Sequence, residues 1–99
     1  MIKMVTFAKR RNGMSVEDFQ DYWLSSHAPK VKSYPGLRRY AVSLTLATGY
    51  GRGEPAYDGV AELWFDDMAA FENARESSEF ANGVKDLVNF IDMESRGMI

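Results

Sequence analysis

Gly59-Val60-Ala61-Glu62-Leu63-Trp64-Phe65 alternates with a period of two. Ala61, Leu63 and Phe65 fall on one side of the strand it forms, and Val60, Glu62 and Trp64 on the other. Large apolar groups on both sides imply cover on both sides. Asp66 or Asp67 follows as the helix cap, ahead of Met68, Phe71, Ala74 and Arg75 near helical spacing. Upstream, Leu37 to Leu46 reads as a strand with Tyr40, Val42, Leu44 and Leu46 on one face. The glycine-rich loop 47–58 joins the two strands.

Tyr34-Pro35-Gly36 stops whatever precedes that pair, because the residue before proline avoids helical geometry. Further back, residues 2–9 alternate: Ile2, Met4, Thr6 and Ala8 on one side, Val5 and Phe7 on the other. Arg10-Arg11-Asn12-Gly13 is a turn, and Ser15 with Asp18 opens a first helix. Pro29 is expected to end or bend that helix. Downstream, Ser77-Ser78 breaks the second helix, a short helix spans 79–87, and Val88 to Met93 reads as a last strand.

The order is β-α-β-β-α-β, an α+β ferredoxin-like arrangement covering residues 1–99 as one domain. Right-handed crossovers put both helices on one face of a four-stranded antiparallel sheet. The opposite face also carries bulky apolar residues, and a patch of that kind marks an association site. Two sheets packed face to face, a homodimer forming a dimeric α+β barrel, is the simplest expectation.

There is no cysteine, which removes disulfides, thiol nucleophiles and thiolate zinc sites. With a single histidine, no standard metal site can be built within one chain, so no metal is expected. No apolar run reaches the roughly eighteen residues of a membrane helix, and the start is too short and polar-flanked for a signal peptide. A cytoplasmic setting without a membrane partner is expected. The net charge is −2, yet nine basic and three acidic residues precede Gly53 and three basic and eleven acidic lie from there on. Lys9-Arg10-Arg11 and Arg38-Arg39 are basic clusters in a net acidic chain. The aromatic strand signature of RNA-recognition modules is absent, so no nucleic-acid partner is expected. Gly49-Tyr50-Gly51-Arg52-Gly53 lacks the phosphate-loop fingerprint and reads as a hairpin loop.

The one histidine, His27, shares a helical stripe with Val16, Phe19 and Trp23. It therefore points inward beside aromatic rings. Burial lowers a histidine pKa and favours the neutral form that accepts a proton, so His27 is the candidate general acid or base. The alternative is a hydrogen-bonded histidine that ties the helix to the next loop. Glu62, on an apolar strand, is the second candidate, either meeting His27 or bridging to Arg39. Phe7, Trp23, Tyr40, Tyr57 and Trp64 are candidates to line an aromatic-binding cleft, with Tyr22 beside them. Arg38 or Arg39 is a candidate to grip a substrate carboxylate.

Three segments together resemble the EthD family. They are Phe19-Gln20-Asp21-Tyr22-Trp23 with His27-Ala28-Pro29, Tyr34-Pro35-Gly36-Leu37-Arg38-Arg39-Tyr40, and Tyr57-Asp58-Gly59 through Phe65; Phe90-Ile91-Asp92 resembles that family's last strand. The resemblance implies the dimeric α+β barrel superfamily, with a ligand in the cleft between sheet and helices and His27 matching the helix-one histidine. It implies a small enzyme without organic cofactor acting on a hydrophobic oxygenated molecule, such as a lactone or aromatic polyketide. Isomerisation, dehydration or cyclisation is the expected chemistry. Cofactor-free oxidation and a non-catalytic accessory role for a partner oxygenase are the alternatives.

Overall fold

A computed structural model describes residues 1–95 and 97–98. β1 (Ile2–Ala8) leads through the Arg10–Gly13 turn to α1 (Val16–Tyr22), whose cap is Ser15, accepting from the Asp18 N–H. A π-turn, Trp23–His27, carries the helix into α2 (Ala28–Lys32). β2 (Leu37–Leu44), a 3₁₀ turn (Ala47–Arg52) and β3 (Gly59–Phe65) follow. α3 (Met68–Arg75) is capped by Asp67 and α4 (Ser78–Asp86) by Ser77, each side chain accepting a backbone N–H three residues on. A 3₁₀ turn (Leu87–Asn89) and β4 (Gly97–Met98) complete the described chain.

The sheet order is β2-β3-β1-β4, antiparallel at every junction. β3 is central, pairing Ile2↔Phe65 to Ala8↔Gly59 on one side and Leu37↔Phe65 to Leu44↔Gly59 on the other. Register puts Met4, Tyr40, Ala61 and Leu63 on one face. Phe19, Trp23, Val31, Ala74 and Phe90 from the helical layer join Ala8, Ala61, Leu63 and Phe65 there in one core. The opposite face carries Val5, Phe7, Val60 and Trp64, all half-buried, among Lys3, Arg39 and Glu62.

One element differs from the sequence reading, and of the two outcomes expected at Pro29 the helix does not end there. Proline lacks an N–H, and its ring collides with the carbonyl four residues back in a straight α-helix. The π-turn lengthens the preceding ring, with the Ala28 N–H reaching the Trp23 carbonyl, and so opens the helix just where that collision would fall. Nor is Val88–Met93 a strand. Leu87–Asn89 is helical, and the Phe90 and Ile91 N–H groups bond back to the Leu87 carbonyl. Ile91 makes a single bridge to Arg10, and Phe90 is buried beneath the first helix. A short apolar run is apolar here because it is covered, and periodicity cannot distinguish that from a strand. The edge position belongs to Gly97–Met98, opposite Phe7 and Thr6.

The loop 47–58 is firmly held. Asp58, fully buried, accepts from the Arg10 backbone N–H and guanidinium, each at 2.8 Å, and from the Tyr50 hydroxyl. Lys9 lies 3.3 Å from the same carboxylate and 2.6 Å from Glu54. Burial alone would raise the Asp58 pKa, but these hydrogen bonds outweigh it and hold the carboxyl below its usual range. Lys9 and Arg10 thus close this loop onto the end of β1.

Candidate functional site

The π-turn places Trp23 and His27 on the side of the helix that faces the sheet, and both are buried. Trp23 packs closely against β3 because Gly59 has no side chain: a Cβ there would fall 2.5 Å from the indole ring. Phe90 seats the histidine, its ring centroid 4.8 Å from the imidazole.

His27 meets Asp86, the last residue of α4, with Nδ1 2.9 Å from Oδ2; both residues are buried. The other carboxylate oxygen accepts from the Tyr22 hydroxyl and, at 3.0 Å, from the Asn89 amide. Burial raises the Asp86 pKa, yet hydrogen bonds from Tyr22, Asn89 and His27 outweigh it and keep the carboxyl ionised. An ionised carboxylate only accepts, so Nδ1 carries the proton and Nε2 of neutral His27 is an acceptor. Burial pulls the His27 pKa below its ordinary value of 6.5, only partly opposed by Asp86. His27 is thus neutral at physiological pH.

Nε2 has no protein partner among the described residues, and no buried side-chain nitrogen or oxygen among them lacks one. Nε2 therefore reaches open space. That space is a cavity of about 470 Å³ between sheet and helices. Its walls are mainly apolar, including Met4, Trp23, Val31, Leu63, Phe80 and Leu87, with Tyr34, Tyr40 and Arg75 as polar additions. An apolar cleft with a few convergent polar groups is the usual form of a small-molecule site.

Of the residues singled out from sequence, His27, Trp23 and Tyr40 line this cavity; Phe7 borders it from β1, although its register opposite Val60 puts its ring on the outer face, against Tyr57. Glu62, Trp64, Arg39 and Tyr57 do not. Glu62 lies on the outer sheet face, 3.1 Å from Lys3, and meets neither His27 nor Arg39. Trp64 sits on that same face beneath Arg39, whose guanidinium is 4.7 Å from the ring centroid. Tyr57 is exposed, its ring 5.3 Å from Phe7. Strand parity explains this: the even residues of β3 point away from the helices.

Asp86, Tyr34 and Arg75 were not foreseen. The available signal for Asp86 was helical spacing, since Gly83, Asp86 and Phe90 share a stripe and all three are buried. Among the described residues no three His, Cys, Asp or Glu side chains group as a metal site.

A ferredoxin-like α+β fold, with a histidine–aspartate pair beneath an apolar cleft, defines the class of protein. The chain belongs to the EthD family, whose EthD domain matches residues 11–94. It is similar to an EthD-family protein from Bacillus halodurans, with 21% identity and a TM-score of 0.80 over 98% of this chain and 92% of that one. It is also similar to a dimeric ferredoxin-like protein of unknown function from Thermobifida fusca, at 12% identity, TM-score 0.72, 98% and 85% covered. A third structure is SnoaB, a cofactor-independent oxygenase from Streptomyces nogalater, at 15% identity, TM-score 0.64, 98% and 88% covered. At these identities the likeness is one of fold. Among curated proteins none matches the chain in sequence. No described helix is long and apolar enough to cross a membrane.

Proposed function

We propose that this chain is a small cytoplasmic enzyme that moves protons on a hydrophobic, oxygenated small molecule without an organic cofactor. His27 Nε2 is the base that takes a proton from substrate, and the imidazolium it becomes returns that proton elsewhere on the molecule. Asp86 orients the ring and stabilises the imidazolium. The observation that carries this reading is Nδ1 held by Asp86 while Nε2 opens onto an apolar cavity of about 470 Å³. Isomerisation, dehydration or cyclisation of a lactone or aromatic polyketide fits that equipment.

The test is deuterium incorporation from heavy water into unsaturated lactones and enolisable aromatic ketones, followed by mass spectrometry with dissolved oxygen recorded. Wild type is expected to label substrate, and His27→Gln to do so about 10²–10⁴-fold more slowly. The wild-type rate should rise with pH through a midpoint below 6.5 and level off above it, since only neutral His27 accepts a proton. Equal labelling by both proteins would exclude His27 as the base. Oxygen uptake with a gain of oxygen mass would instead support oxidation, in line with the cofactor-independent oxygenase from Streptomyces nogalater. Binding without labelling would support an accessory role.

We also infer that the protein works as a homodimer through the outer sheet face. Val5, Phe7, Val60 and Trp64 lie half-buried there, with no described helix covering them. The Thermobifida fusca neighbour is described as dimeric. Sedimentation is expected to give twice the chain mass for wild type and a monomer for Trp64→Glu. A wild-type monomer at micromolar concentration would overturn this.

A further inference from the structure

Two phenols share the cavity with His27, and their hydrogen bonds are only half accounted for. Tyr40 accepts from the Trp23 indole N–H at 2.8 Å. That contact uses an oxygen lone pair and leaves the hydroxyl proton without a protein acceptor among the described residues. The Tyr34 hydroxyl has no protein partner among them at all. Because no buried side-chain oxygen among the described residues lacks a partner, the Tyr34 hydroxyl opens to space. Both tyrosines line the same cavity as His27. Tyr34 is held against α4 at Gly83, where a Cβ would overlap the hydroxyl; the absence of a side chain there gives the phenol its place.

We propose that Tyr34 and Tyr40 form an oxyanion site in this cavity, and that the substrate is a carbonyl compound with an acidic neighbouring C–H bond. This rests on the acid–base reading of His27 and names the substrate class for it. In the step implied, the C–H bond breaks and its proton passes to His27 Nε2. The electron pair forms a C=C bond while the carbonyl π pair moves onto oxygen, giving an enolate that accepts hydrogen bonds from both phenols. Where a C=C bond adjoins the acidic carbon the enolate is a dienolate, and return of the proton from the imidazolium to its far carbon shifts the double bond, completing an isomerisation with no oxidant or reductant. One acceptor and two donors around an apolar space complement an enolate, and donors fixed in a water-poor site act most strongly where charge develops. Burial pushes both tyrosines up to about 12, with Tyr40 also raising Tyr34, so both remain donors at any working pH.

The test uses 4-nitrophenol as an oxyanion probe and nitrobenzene as its neutral counterpart, each titrated against the whole chain. Wild type is expected to bind the phenolate in preference to the phenol, so the bound probe ionises at lower pH than the free one, read from its phenolate absorption. Tyr34→Phe and Tyr40→Phe should each weaken phenolate binding about tenfold, the loss expected for one hydrogen bond to a charged group, and leave nitrobenzene within about twofold. Gly83→Ala should reproduce the Tyr34→Phe result, because the new methyl group displaces the Tyr34 hydroxyl.

Equal losses for both probes, a phenolate preference that survives both tyrosine variants, or a wild type that binds neither probe would overturn the proposal. His27→Gln separates it from the acid–base reading. If the preference disappears in His27→Gln alone, the imidazolium holds the phenolate, and the oxyanion site fails while His27 keeps its role. If the preference persists in His27→Gln and disappears in the tyrosine variants, the site stands whatever the labelling experiment returns.

Discussion

Asp86→Asn is expected to cut the rate of proton transfer by about 10²–10⁴-fold while changing substrate affinity little, the behaviour of a histidine left in the wrong tautomer. The carboxylate accepts three times, from His27, Tyr22 and Asn89. An amide has one accepting oxygen and an NH₂ that only donates. If that NH₂ faces His27, Nδ1 becomes the acceptor and the proton moves to Nε2, which removes the base from the cavity. If the oxygen faces His27, the NH₂ points at Tyr22 and Asn89, and the imidazolium has lost its counter-charge. Either arrangement leaves the cavity walls intact, which is why KM should hold while kcat falls. Nitrogen chemical shifts of the imidazole report the tautomer directly. An unchanged rate would return Asp86 to a purely structural part.

Asp58→Ala is expected to destabilise the fold by about 3–5 kcal/mol, the range for removing one partner of a buried ion pair. The change leaves the Arg10 N–H and the Tyr50 hydroxyl without their acceptor and strips the Arg10 guanidinium of its buried partner, leaving it Glu54 and the Met14 carbonyl. The expected fall in Tm is roughly 15 °C or more, since about 1 kcal/mol shifts a domain of this size by 4–8 °C. Urea denaturation measures the free energy directly. The same carboxylate gives stability a defined pH dependence. Its pKa is lower in the folded chain than in the unfolded one, so its stabilisation is complete above the ordinary carboxyl range and is lost as pH falls through the depressed folded value. Asp58→Ala should therefore flatten the acid limb of the stability curve. A loss below about 1 kcal/mol, the scale of an exposed pair, would mean that the ion cluster is surface decoration.

How much of this was legible beforehand depended on range along the chain. β3 runs over Gly59–Phe65 as its alternation implied, and Ser15 and Asp67 cap helices because capping is chemistry within a few residues. The inward turn of His27 was equally local. Its partner Asp86 lies 59 residues away, and no spacing rule within one helix reaches that far. Glu62 misled for a related reason. A carboxylate on an apolar strand needed a partner, but that partner is Lys3, on the neighbouring strand and diagonal to it across the β1–β3 register. Tyr40 was found by type and Tyr34 was not, since what places Tyr34 in the cavity is the bare backbone of Gly83 on another helix.

The π-turn at Trp23–His27 couples chain length to the proline beyond it. A π-turn holds one residue more than an α-turn, so deleting Ser25 or Ser26 closes it to an α-turn. The Pro29 ring would then meet the carbonyl four residues back with no slack to receive it. Point substitutions at these two serines leave the count intact and are expected to be tolerated. The segment is thus permissive in identity and strict in number: as this site diverges, its letters can drift while its length cannot.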